Sequence, residues 1–147
     1  MHRQVVIRKA VPEEIEWINT QYDEAHFKHS VYDNEYIAIA ELDGEKIGLG
    51  RLQHIEDGVA ELGGIFVREK YRGLGAAHKI VGHLIENSGR YNKIYCIPFS
   101  HLELFYRQFG FEPEKNLAEV PGPVLTKHSW CKTTYDSQTL LLVMKRA

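Results

Sequence analysis

Cysteine is nearly absent: Cys96 and Cys131 are the only two in 147 residues. That is too few for a disulfide framework and points to a reducing compartment, the cytosol. No apolar stretch approaches the ~20 residues that span a bilayer, so no membrane partner is expected. The first residues, Met1-His2-Arg3-Gln4, lead directly into a strand-like Val5-Val6-Ile7, with no signal-peptide core between them. An excess of one charge sign is missing too. The 18 Lys and Arg against 20 Asp and Glu leave a net charge of −2, without the clustered basic face that nucleic-acid binding requires. Internal repeats, low-complexity segments and an interdomain linker are all absent from the sequence. Residues 1–147 therefore read as a single domain, long enough to bury a real core. Its 44% hydrophobic and 26% charged residues match an ordinary soluble composition.

What is present alternates between strand and helix patterns. Residues 4–9 read as a strand. Pro12, followed by Glu13 and Glu14, opens a helix whose inner stripe is Ile15, Ile18 and Tyr22, since proline suits the first helical position and acids suit its positive end. Between His26 and Glu35 the pattern fits either loop or a short second helix. Asp43-Gly44 and Asp57-Gly58 lie between apolar runs and signal two hairpins, hence an antiparallel meander. Lys93–Ile97 is a fifth strand stopped by Pro98. Ser100 with Glu103 forms the pattern of a capping box for a helix carrying Leu102, Phe105, Tyr106 and Phe109, ended by Gly110. Leu140–Met144 is the last clear strand, and 112–138 carries no assignable pattern. The expected fold class is α/β in layers, with a mixed, mostly antiparallel sheet.

Between the strand-like Ile65-Phe66-Val67 and a helix containing Ile80, Val81, Leu84 and Ile85 lies Arg72-Gly73-Leu74-Gly75-Ala76-Ala77. A strand, a glycine turn and a helix start aim backbone N–H groups and the positive end of a helix dipole at one spot, which suits phosphate. Gly73 and Gly75 permit backbone angles and close approaches that a Cβ obstructs. The turn does not end in Gly-Lys-Ser/Thr, and it lacks the third glycine of the dinucleotide fingerprint. Taken alone, such a turn serves equally well merely to reverse the chain.

Arg72, Gly75 and Ala77, read as Arg-x-x-Gly-x-Ala, resemble the acyl-CoA motif of the GCN5-related N-acetyltransferase (GNAT) superfamily. Upstream, Ala60–Val67 resembles the family's central strand. Downstream, Phe105-Tyr106-Arg107-Gln108-Phe109-Gly110-Phe111 resembles its helix with an aromatic–Tyr pair and a Gly-Phe ending. Order and spacing agree over roughly residues 36 to 112. The resemblance implies a three-layer fold, with a twisted sheet flanked by helices on both faces, and acetyl-CoA as co-substrate. It implies that Ile65, Phe66 and Val67 bind the pantetheine arm like an added strand, with the Val67 N–H as oxyanion donor. Arg72, Gly73, Leu74, Gly75, Ala76, Ala77 and His78 are implied to hold the pyrophosphate. One departure is Phe99, seven residues before Tyr106, where many family members carry an asparagine that touches pantetheine.

Acyl transfer to an amine sets its own demands. An alkylammonium, with a pKa of about 10.4, must lose a proton before it attacks a thioester, and the departing thiolate benefits from gaining one. Glu61 is the candidate base. It lies six residues before Val67 and eleven before Arg72, a spacing that matches, without gaps, the catalytic glutamate of the family's histone-acetylating branch, where it is implied to act through a water. Strand alternation places it on one face with Gly63, Ile65 and Val67 unless Gly63-Gly64 supplies a bulge. Otherwise it is a carboxylate on the solvated face of the sheet. Tyr106 resembles the family tyrosine that protonates the CoA sulfur, and packing on the buried helix stripe is its structural alternative.

The remaining residues imply less. The eight histidines show no ligand spacing backed by cysteine or carboxylate, so no metal is expected. Cys96 reads as a small core side chain and Cys131 as an exposed residue in a polar stretch. Glu13, Glu14, Glu16, Asp23 and Glu24 form a solvated helix face or one that attracts a cationic amine. The apolar C-terminal strand is compatible with a homodimer and equally with an internal strand. The sequence thus points to an N-acetyltransferase acting on a primary amine of a small molecule or protein. The alternative is a CoA-binding sensor or assembly module with little catalysis.

Overall fold

Small residues decide where the second helix lies. The computed structural model describes residues 4–146, which fall in two compact units. One runs up to Gln53 and includes Gly64–Ser88, and the other comprises His54–Gly63 and the chain from Gly89 onward. In the first unit, β2 (Glu35–Leu42) and β3 (Glu45–Glu56) are antiparallel. Their turn residues Asp43 and Gly44 have φ of 53° and 83°, the paired positive values that a two-residue hairpin turn needs. The register sets Ala38 opposite Gly50 and Ala40 opposite Gly48, leaving one sheet face almost bare of side chains. Helix α2 (Ala76–Glu86) lies on this face. A Cβ on Gly50 would come within 2.6 Å of Ile80 Cγ2 and 2.5 Å of Ile65 Cδ1.

The opposite face carries Ile37, Ile39 and Leu49, which pack with Ile18 and Tyr22 of helix α1 (Ile15–Ala25). Pro12–Glu14 forms a 3-10 turn ahead of α1, so the expected helix begins one turn later in α-form. It ends at His26, whose φ of 60° lets its N–H reach the Asp23 carbonyl. The stretch beyond is loop, apart from a 3-10 turn at Tyr32–Asn34. Strand β1 (Val6–Lys9) pairs antiparallel with β2. The seven strands follow the order β1-β2-β3-β4-β5-β7-β6.

In the second unit, the start of β4 (Val59–Val67) pairs parallel with β5 (Lys93–Cys96), setting Glu61 opposite Tyr95. Strand β7 (Leu142–Lys145) is antiparallel to β5 and to the two-residue β6 (Glu112–Pro113). The segment with no sequence pattern contains helix α4 (Gly122–Thr134). Its Val124 packs with Val59, Tyr95, Leu141 and Val143. Two expectations fail here. Cys131 is buried on α4, not exposed. Ser100 does not form a capping box: it begins a 3-10 turn with Phe99 as the N-cap, and helix α3 (Glu103–Arg107) starts only at Glu103. Glu103 accepts instead from Arg107 Nη1, at 2.9 Å.

Two positions in the first unit carry testable weight. Gly64 has a φ of 60°, and a Cβ there would lie 2.5 Å from the Tyr22 hydroxyl, which donates to the Gly64 carbonyl at 2.8 Å. Gly64→Ala should cost roughly 2–4 kcal/mol, from the left-handed backbone and overpacking together. An unchanged urea midpoint would contradict this. Glu14 accepts from both Arg8 Nη atoms at 2.8 Å and lies 2.8 Å from Lys46 Nζ. Chiefly because of Arg8, its carboxyl is held well below the ordinary range. The folded value is the lower one, so this stabilisation is complete above the ordinary carboxylate range, ~4.3, and is lost as pH falls through the depressed value. Glu14→Gln should remove about 1–2 kcal/mol at neutral pH and flatten the acid limb of a stability curve. Equal acid limbs for the two proteins would refute that role.

Candidate active site

The glycine turn is open and its helix is uncapped. β4 ends at Val67, a 3-10 turn covers Glu69–Tyr71, and α2 begins at Ala76 with Gly75 as its N-cap. Gly73 and Gly75 have φ of 86° and 79°, and a Cβ on either would meet nothing within 4 Å. Glycine is therefore required here by backbone angle rather than by crowding from the protein itself. No side chain caps the start of α2, leaving its first N–H groups available to an anionic ligand. Residues 72–75 and His78 are exposed, Ala77 is half-buried and Ala76 is buried. Arg72 remains a cation at the rim, tied down by its Nε, which donates to the Val67 carbonyl at 3.1 Å. Ile65, Phe66 and Val67 are half-buried. Ile65 approaches α2 beside Gly50, whereas Phe66 packs with the α1 cluster.

Glu61 is not on a solvated face. It is 3% exposed, and Lys127 Nζ donates to its Oε2 at 2.6 Å. Parallel pairing with β5 explains the contact. Glu61 shares a face with Val59, two residues away, and with Tyr95 opposite, and that face is the one α4 covers. Lys127 sits three residues, nearly one turn, after Val124 on α4 and so reaches the carboxylate. Gly64, three residues on, has a left-handed φ of 60°. Sequence reasoning missed Lys127 because nothing in the sequence indicated that 122–134 was a helix.

Tyr106 and Cys96 are also buried in this unit, at 5% and 1% exposure. Burial, with Cys96 adding to it, pushes the Tyr106 phenol well above its ordinary value, so it stays protonated at neutral pH. Burial, then the Glu61 charge, does the same to the Cys96 thiol, against a smaller opposing effect of Lys127. Cys96 is thus an inert thiol and not a nucleophile. Tyr106 sets its ring edge-on to Phe105 and Phe111, with centroids 5.0 and 6.0 Å away.

Other residues take structural work. Phe99 stacks on His101 and meets Tyr135 edge-on at 5.3 Å, a packing contact. His83 bonds to the Tyr36 hydroxyl at 2.9 Å and His29 to Asp23 at 2.6 Å. Among the described residues no group of three or more His, Cys, Asp or Glu is placed to hold a metal ion. The acidic stretch from Glu13 to Glu24 is partly neutralised, since Glu14 pairs with Arg8 and Lys46.

A family model described as an acetyltransferase (GNAT) domain matches residues 33–113. Among solved structures, Rv2747 from Mycobacterium tuberculosis in complex with CoA and NLQ gives a TM-score of 0.75 at 19% identity, covering 97% of this chain and 99% of that one. A GNAT family acetyltransferase from Elizabethkingia anophelis with acetyl-CoA bound gives 0.61 at 18%, covering 97% and 98%. N-acetylglutamate synthase from Neisseria gonorrhoeae, complexed with coenzyme A and L-arginine, gives 0.74 at 16%. There the match covers 98% of this chain but only 34% of the synthase. At such identities the likeness is one of fold. Comparison with curated proteins gives no match. The family match takes in more than half of the sequence, and the chain belongs to the GNAT acetyltransferase family.

Proposed function

We propose that this GNAT protein transfers the acetyl group of acetyl-CoA to a primary amine by direct attack in a ternary complex, with Glu61 as base and Tyr106 as acid. The observation that carries the reading is the uncapped start of α2 behind the open Gly73–Gly75 turn. Its N–H groups and dipole suit the pyrophosphate of a CoA, and a Cβ at Gly75 would occupy open space on that side. The relatives with CoA or acetyl-CoA bound support the same co-substrate.

The chemistry then follows from two groups. The acceptor ammonium gives a proton to Glu61, directly or through a water, and the neutral nitrogen attacks the acetyl carbon. As the carbon–sulfur bond breaks, the Tyr106 phenol donates its proton to the departing thiolate, the second proton of the attacking nitrogen restores the phenol, and Glu61 releases the first to solvent. Burial keeps that proton on the phenol until the thiolate appears. Holding the thioester by its distant nucleotide end lets binding energy orient the reaction. No covalent enzyme intermediate is needed, in accord with the inert Cys96.

Acetyl-CoA-dependent thiol release across an amine panel tests the activity, with a no-amine blank. Glu61→Gln should lower turnover about a hundredfold or more, within the range of a lost general base, while acetyl-CoA affinity is nearly kept. An equal fall in affinity would make Glu61 structural. Tyr106→Phe should also slow turnover, and an unchanged rate would remove Tyr106 from the mechanism. Binding of acetyl-CoA without release from any amine would support instead a CoA-binding module.

A further inference from the structure

A small cavity adjoins the glycine turn within the first unit. Gln4, Val5, Leu42, Leu74 and Lys79 line its volume of about 160 Å³. That is below the ~300–1,000 Å³ of pockets that bury a drug-sized ligand, and it suits a single planar ring system. Leu74 belongs to the turn itself, standing between Gly73 and Gly75 with 51% of its surface exposed. Val5 and Leu42 are buried. The cavity therefore takes apolar lining from both the core and the turn.

Its polar lining is more specific. Lys79 lies in the first turn of α2, and its Nζ donates to the Val5 carbonyl at 3.2 Å. An ammonium has three donors and a carbonyl oxygen two lone pairs, so each keeps capacity for a further bond. A donor and an acceptor 3.2 Å apart complement a ligand edge that sets an acceptor beside a donor. Adenine has such an edge, a ring nitrogen next to the N6 amino group, and its flat faces suit Val5, Leu42 and Leu74. A phosphate group accepts at every oxygen. It would match Lys79 but set an anion against the Val5 carbonyl.

Resting on the reading of the glycine turn as the pyrophosphate site, we propose that this cavity seats the adenine ring of acetyl-CoA. The N6 amino group donates to the Val5 carbonyl, and the neighbouring ring nitrogen accepts from Lys79 Nζ. Leu74 is the wall shared by cavity and turn, so the nucleotide passes from one to the other without leaving the protein surface. The arrangement selects the base. A carbonyl oxygen in place of the N6 amino group would face the Val5 carbonyl, acceptor against acceptor, and leave it without that donor.

Calorimetric Kd values at one fixed salt concentration test this with four ligands. They are acetyl-CoA, its 3′-dephospho form, its deaminated form with hypoxanthine in place of adenine, and acetyl-4′-phosphopantetheine, which lacks the adenosine. The deaminated form should bind about tenfold more weakly than acetyl-CoA, the factor carried by one lost hydrogen bond with its acceptor left unpaired. Lys79→Met, with a native melting curve, should weaken acetyl-CoA and the 3′-dephospho form by the same factor and leave acetyl-4′-phosphopantetheine unchanged. Equal affinity of the wild type for the adenine and hypoxanthine forms would overturn the proposal while the acetyl-CoA reading stands. So would an Lys79→Met variant that binds acetyl-CoA as the wild type does, or one whose loss is confined to the 3′-phosphorylated ligand or extends equally to acetyl-4′-phosphopantetheine. If the wild type does not bind acetyl-CoA at all, both readings fall together.

Discussion

The close approach of α2 to the sheet is the constraint on which the cofactor side depends. Ala38, Ala40, Gly48 and Gly50 form a face with little side-chain relief, and Ile80 settles almost onto the Gly50 backbone. A helix held that tightly has a fixed start, and its start is Ala76, just beyond the open glycine turn. Branched residues at Gly48 or Gly50 would push α2 outward and carry the glycine turn with it. The opposite face is built differently. There Ile37, Ile39 and Leu49 meet Ile18 and Tyr22 in ordinary apolar packing, which contributes burial more than position.

The second unit solves another problem, how to partner a carboxylate in a mostly apolar setting. Glu61 sits among Val59, Tyr95 and α4, and Lys127 supplies its partner. Such a pair contributes little net stability against an apolar replacement, but breaking one side of it is expensive.

Much of this was legible in the sequence. Asp43-Gly44 and Asp57-Gly58 marked the hairpins because positive φ at tight turns leaves few residue choices. Glu61, Tyr106 and the 72–78 turn were singled out by resemblance to the family, and they fall on β4, on α3 and at the start of α2. Helix α4 was not legible. Its inward positions include Lys127 as well as Val124 and Cys131, so no apolar stripe at helical spacing appears. The same blindness made Cys131 read as exposed. The two-residue β6 is fixed by pairing with β7, a tertiary contact without a local signature. Ser100 and Glu103 had the spacing of a capping box, but the 3-10 turn moved the helix start to Glu103, so neither residue stands where such a box needs it.

The claim that most directly decides the account is that the uncapped start of α2 holds the pyrophosphate of acetyl-CoA. Amide NMR of the full chain, titrated with acetyl-CoA and then with acetyl-pantetheine, which lacks the nucleotide and pyrophosphate, tests it. The account predicts large shifts at Gly73, Gly75 and Ala76 with acetyl-CoA that disappear with acetyl-pantetheine, while shifts at Ile65–Val67 persist. Saturable binding of acetyl-CoA that leaves the amides of residues 73–76 unmoved would contradict it.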